Sequence, residues 1–160
     1  MRLFLKTALF TVLCPGTFAV VLPILVAGDR PAATGGTLVL ALVLLVLGAA
    51  LYLRSAWDFA VSGGGTPAPI DAPKHLVKRG FYRYTRNPMY VASLTMVMGW
   101  ATLFGAAVLI AYAAVLFVAF SLFVRLYEEP RLEREFGTEY RTYTAEVGRW
   151  LPRCVRRRAG

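Results

Sequence analysis

Residues 74–90 read KHLVKRGFYRYTRNPMY, a basic and aromatic stretch punctuated by Gly80 and Pro88 that stops where an apolar run begins. Moving outward from it, the chain is apolar on both sides. Thr7–Ala27 and Thr37–Leu53 precede it, and Met89–Phe104 and Ala106–Leu126 follow it. Thr7–Ala27 carries no charge, and its length is close to the ~20 residues a helix needs to cross ~30 Å of hydrocarbon. The pattern predicts one all-α integral membrane domain over residues 1–160. It has four transmembrane helices at 7–27, 37–53, 89–104 and 106–126. The third and fourth meet at Gly105 as a tight hairpin. A cytoplasmic connector spans 54–88, and a C-terminal amphipathic helix spans 129–151. The 89–104 run reaches only about 24 Å at 1.5 Å per residue, short of the hydrocarbon core.

Composition and charge support the same class. Of 160 residues 58% are apolar, with a mean hydropathy of +0.56, which is too apolar for an ordinary soluble domain. The net charge of +9 raises the question of a nucleic-acid partner, but the placement of the charge answers it. Apart from Arg30, every Lys and Arg lies at the N-terminal tip, between Arg54 and Arg86, or from Arg125 onward. Four crossings put those three regions on one side. This is the positive-inside asymmetry of a cytoplasmic (inner) membrane protein with both termini cytoplasmic, and not a nucleic-acid surface. Cys14 and Cys154 make no disulfide framework. MRLFLKTALFTVL imitates a secretory signal, but its apolar run exceeds a signal core of about 7–15 residues, so an uncleaved span is expected.

Local signals refine the outline. Pro15 and Pro23 should bend the first span, since each removes a backbone donor. Ser62–Pro69, SGGGTPAP, reads as a flexible break. Pro88 suits the first turn of a helix. Beyond Pro130, Leu132, Phe136, Tyr140, Tyr143, Val147 and Trp150 recur at helical spacing. They form one apolar-aromatic face directed at the membrane or at the connector.

No Ser/His/Asp arrangement, P-loop or metal-ligand cluster is present, and His75 is the sole histidine, so no metal is expected. The four apolar runs contain no Asp or Glu, which argues against a proton-coupled transporter. What remains is the pair Glu128-Glu129 and the Arg- and Tyr-rich strip. Each admits a structural reading. Arg54, Arg86 and Arg125 can snorkel to headgroups. The two glutamates can cap a helix starting at Pro130. Tyr82, Tyr84 and Tyr90 can form an interface belt. Spacing alone leaves these readings open.

HLVKRGFYRYTRNPMYVAS, followed some forty residues on by EEPRLEREFGTEYRTY, resembles the isoprenylcysteine carboxyl methyltransferase and phospholipid methyltransferase family. These are membrane enzymes that use S-adenosylmethionine. The family pattern runs H-x-L-V, G-x-Y, R-H-P-x-Y, then an acidic pair and F-G-x-E-Y. The likeness covers roughly residues 74–151. It implies that Lys74, His75, Leu76 and Val77 line the cofactor, with Tyr82 from G-x-Y. Arg86, Asn87, Pro88, Met89 and Tyr90 match R-H-P-x-Y, and Glu128 matches the cofactor-contacting acid. Arg125 lies near the position of a substrate-binding arginine. Asn87 replaces the usual histidine, and His75 sits one place later than the pattern's first histidine.

The resemblance implies methyl transfer to an amphiphilic acceptor, either a prenylcysteine-type carboxylate or a phospholipid amine, with membrane lipids as surroundings and no obligate protein partner. The residue types suit that donor. A carboxylate pairs an ammonium, and an amide or cation holds a carboxylate. A tyrosine face attracts a sulfonium by about 0.5–2 kcal/mol. Methyl transfer is a displacement on an activated carbon, so positioning supplies most of the rate and no nucleophilic side chain is needed. An amine acceptor must lose a proton, for which Glu129 is the candidate base. Two other classes fit the same outline: an NADPH-dependent membrane reductase of related fold, and a non-catalytic four-span protein or small transporter.

Overall fold

The apolar runs fold into helices whose ends are set by glycine and whose internal joints are set by proline. The computed structural model describes residues 9, 13, 15–64 and 74–153. Over these the chain is helical: α1 (Leu22–Ala27), α2 (Gly35–Gly63), α3 (Pro88–Phe104), α4 (Ala107–Phe123) and α5 (Glu129–Glu146). One isolated parallel bridge joins Thr85 to Gly148. Cys14, Cys154 and most of the Gly- and Pro-rich break at 62–69 lie outside the described residues.

Proline is absorbed in the same way twice. A π-helical turn, Thr17–Val21, precedes Pro23, and a second, Val124–Glu128, precedes Pro130. In each, the residue before the proline donates its N–H five residues back, Leu22 to Thr17 and Glu129 to Val124. Proline lacks an N–H and crowds the carbonyl four residues earlier, and a widened turn accommodates that without ending the helix. The carbonyls left over near Pro23 find other donors. Trp100 Nε1 donates to the Ala19 carbonyl at 3.0 Å, and the Tyr112 hydroxyl donates to Phe18 at 2.7 Å. Where water is scarce such groups must be satisfied internally, so these two bonds also pin the first helix to α3 and α4.

Two helical stretches are long and apolar enough to cross a membrane. They are Gly35–Gly63 and the continuous Ala107–Glu146, while Thr17–Ala27 and Pro88–Phe104 are shorter apolar helices. Both long stretches depart from expectation. The second run does not close at Arg54, because α2 continues to Gly63 and carries Arg54, Trp57 and Asp58 with it. About 30 Å of helix is used up by Arg54, so the last ten residues of α2 extend past the apolar run. The connector expected from residue 54 therefore begins ten residues later. The fourth run continues through the π-turn into the C-terminal helix, and α5 ends at Glu146, not 151. Glu128 and Glu129 consequently cap no helix start. Gly137, at φ 48° and ψ −119°, kinks α5 where no L-residue sits comfortably.

The α3–α4 hairpin forms as expected, turning at Gly105 with φ 56°. The main packing is α2 on α3, through small residues. A Cβ on Gly48 would lie 2.6 Å from Met96 Cγ and 3.0 Å from the Ala92 carbonyl oxygen, and Ala92 and Val97 are fully buried. Small residues let helix backbones approach this closely. The methionine can yield, but the carbonyl cannot. Gly48→Val is expected to cost about 1–3 kcal/mol by overpacking, read as a lower melting temperature in detergent. An unchanged melt would mean the helices are not this close. The opposite faces of α2 and α4 expose Val39, Val43, Val46, Leu47, Val115, Val118 and Leu122, as a lipid-facing surface would.

Candidate active site

Below the apolar helices, the connector and the C-terminal segment are laced together. Gly80–Arg83 forms one 3-10 turn, and its Tyr82 is buried. A side chain on Gly80 would collide with the Asp58 carboxylate, so the end of α2 sits directly on this turn. Asp58, itself buried, pairs with Arg54 one helical turn earlier at 3.2 Å. The Tyr143 hydroxyl donates to the Tyr82 carbonyl at 2.7 Å. Residues 147–150 then run along the connector as a strap. The Arg86 N–H donates to the Gly148 carbonyl at 2.9 Å, and the Thr85 hydroxyl and the Asn87 amide donate to the Arg149 carbonyl at 2.9 and 3.0 Å.

The two glutamates face different partners, because neighbouring positions on a helix point about 100° apart. The Tyr90 hydroxyl donates to Glu128 Oε1 at 2.5 Å, and the ring of Tyr90 packs on Phe120 and Trp150. Burial pushes the Glu128 carboxyl above its usual range, with the Tyr90 hydrogen bond opposing and the charge of Glu129 adding. Glu129 is clamped by arginine. Arg149 Nε and Nη2 reach its two oxygens at 2.7 and 2.8 Å, and Arg86 Nη1 lies 3.0 Å away. Burial alone would raise Glu129, but the hydrogen bonds from Arg149 and the charges of Arg86, Arg149 and Arg125 outweigh it and hold the carboxyl below its usual range. Such a group is a poor proton acceptor. The contacts to Arg149 and Arg86 make Glu129 an ion-pair anchor in this structure, a different setting from the one expected of a base.

The remaining expected site residues divide into two groups. Tyr82 is buried, and burial raises its phenol, with Tyr143, Tyr52, Glu128 and Asp58 adding to the shift. Asn87 and Pro88 are buried, and Met89 packs on the core around Ala92 and Val97. Val77 is buried, and Leu76 joins the cluster of Tyr140, Tyr143 and Val147. The aromatic face of the C-terminal helix thus packs on the connector. Lys74 and His75 are exposed, with both backbone N–H groups donating to the Gly63 carbonyl at 2.7 and 3.2 Å. Arg125 is exposed on the π-turn. Arg149, Thr85 and Asp58 were not anticipated, and Tyr140 and Tyr143 were expected only as part of the apolar-aromatic face. A guanidinium 20 residues from its carboxylate, beyond the end of the helix, leaves no spacing signal.

Apolar helices, two of them long and apolar enough to cross a membrane, that end in an ion-paired polar layer define the class as an α-helical protein of membrane type. The phospholipid methyltransferase family model matches residues 36–139, and the chain belongs to that family. It is accordingly an S-adenosylmethionine-dependent membrane methyltransferase acting on lipid-type acceptors, which sets aside the reductase and the non-catalytic alternatives. Comparison with curated proteins and with solved structures gives no match.

Proposed function

We propose that S-adenosylmethionine binds between the connector and the α4–α5 joint, against Glu128 and Tyr90, with residues 74–77, Tyr82 and Asn87–Met89 forming the surrounding wall. The observation that carries this reading is the Tyr90–Glu128 hydrogen bond. It joins the two separate motifs across 38 residues at the level where the apolar helices end. Glu128 is half-buried, so an ammonium placed against it would be held in a medium where charge pairing is strong. The donor supplies a methyl group already activated on a sulfonium. The chain's own residues hold it, orient it and keep water away, and Tyr82 and Tyr90 offer π faces to the cation. Asn87, whose amide holds the strap, acts on the pocket through the Arg149 carbonyl.

The acceptor is an amphiphile with a lipid tail, either a phospholipid amine or a prenylcysteine-type carboxylate, entering laterally between helices. Both termini and the polar layer lie on the cytoplasmic side, with four crossings. The direct test is methyl transfer from labelled S-adenosylmethionine to a panel of membrane lipids, with products identified by mass. A labelled lipid product is expected. Failure of the donor or its demethylated product to bind purified protein would overturn the assignment of the pocket.

A further inference from the structure

Beside Glu129, a cavity of about 400 Å³ opens between the strap and α5. Arg86, Arg141, Arg149 and Arg153 line it, together with Tyr140. Its two acids, Glu129 and Glu133, are both already matched: Glu129 by Arg149 and Arg86, and Glu133 by Arg141 at 2.9 Å. Four arginines against two paired glutamates leave a net charge of +2 and no carboxylate free for a cation. The Arg86 side chain is only 10% exposed. Its Nη1 reaches Glu129 at 3.0 Å and the Tyr140 hydroxyl at 3.3 Å, but its buried Nε finds no acceptor. A buried guanidinium donor without an acceptor is costly unless a ligand supplies one.

Neither Glu128 nor Tyr90 lines this cavity. Glu128 and Glu129 point about 100° apart on the helix, which directs an oxyanion held among these arginines away from a cation paired with Glu128. The cavity therefore calls for a separate oxyanion. Its depth suits a lipid headgroup, since Arg86 lies two residues before Pro88, where the apolar helix α3 begins. Guanidinium groups in a fixed fork are the usual phosphate binders.

We propose that this cavity binds the phosphate of a lipid headgroup and so holds the acceptor by its phosphodiester, with the headgroup amine, not a carboxylate, directed toward the donor pocket. This rests on the placement of the donor at Glu128. Arg149 serves as a positioning residue. By engaging both oxygens of Glu129, it leaves Arg86 bound to that carboxylate through Nη1, with Nε unpaired.

The test uses the full chain in detergent, titrated calorimetrically with dihexanoyl-phosphatidylethanolamine, glycerophosphoethanolamine, inorganic phosphate, ethanolamine and dihexanoylglycerol. The two headgroup phosphates are expected to bind and to be displaced by high inorganic phosphate, whereas ethanolamine and the neutral glyceride are not expected to bind. Arg86→Gln should weaken the phosphate ligands by about tenfold or more, as loss of a charge-assisted bond does, and Arg153→Ala should weaken them less. S-adenosylhomocysteine affinity should stay within about twofold in Arg153→Ala, because separate subsites add independently. If Arg86→Gln does not fold, Arg153→Ala and the wild-type competition still decide. Absence of headgroup binding would overturn the proposal. So would inorganic phosphate binding as tightly as the lipid, or a parallel loss of S-adenosylhomocysteine, which would give the cavity to the donor's carboxylate. Wild-type protein that binds headgroup phosphate but no S-adenosylhomocysteine would instead remove the donor site and leave the phosphate site standing.

Discussion

Glu128→Ala is expected to weaken S-adenosylmethionine binding by about 1.5–3 kcal/mol, the usual loss when one partner of a charge-assisted hydrogen bond is removed. In affinity that is roughly 10- to 150-fold. The same contact sets a pH dependence. Only the ionised carboxylate pairs with an ammonium, and burial holds Glu128 above the ordinary carboxylate range despite the bond from Tyr90. Affinity should therefore be full above that raised value and fall as pH drops through it, by about tenfold per unit at the acid limit. Glu128→Gln, which cannot titrate, should bind weakly with a flat profile. Isothermal titration of S-adenosylhomocysteine at several pH values reads both. Unchanged affinity in Glu128→Ala would reduce the residue to an anchor for the Tyr90 ring.

The second large effect is on stability. Removing Glu129 leaves Arg86 and Arg149, with side chains 10% and 26% exposed, facing one another without a counter-charge. Breaking a buried pair costs roughly 3–5 kcal/mol. Partial exposure of the arginines places Glu129→Ala toward the lower end, still enough to loosen the strap from the connector. The pH sign follows from a carboxyl held below its unfolded value by Arg149, Arg86 and Arg125 against burial. Its stabilisation is complete above the unfolded pKa and is lost as pH falls through the lower folded one. Glu128 has the opposite sign, its contribution being present below its unfolded value and lost as pH rises through the raised folded value. Thermal unfolding in detergent should thus show acid destabilisation that shrinks in Glu129→Gln and persists in Glu128→Gln. A Glu129→Gln protein with native stability but no turnover would restore a proton-transfer role to this residue.

The acceptor question turns on the same pair. With Glu129 held by arginines, Glu128 is the carboxyl of the two whose environment favours holding a proton. A phosphate held at Arg86 would explain why a positively charged layer sits at the level where the apolar helices end.

Much of this was legible in the chain itself. Charge-free runs of helical length can only be helices in an apolar medium, because each backbone donor must find its acceptor within the segment. The Pro88 start, the Gly105 turn and the aromatic face at Tyr140, Tyr143 and Val147 follow from local geometry. The motif residues followed from resemblance. Boundaries were less legible where charge and backbone disagree. Arg54 looked like the end of a helix, yet it pairs with Asp58 one turn on and α2 continues. Pro130 looked like a start, but a π-turn carries the helix through it. Only the tertiary structure decided which acid does what. Glu128 and Glu129 are chemically identical neighbours in sequence, and a turn of about 100° sends one to Tyr90 and the other to Arg86 and Arg149. Pairings across 38, 43 and 20 residues depend on how the strap closes over the connector. No local pattern encodes them, because they are made by packing and not by spacing.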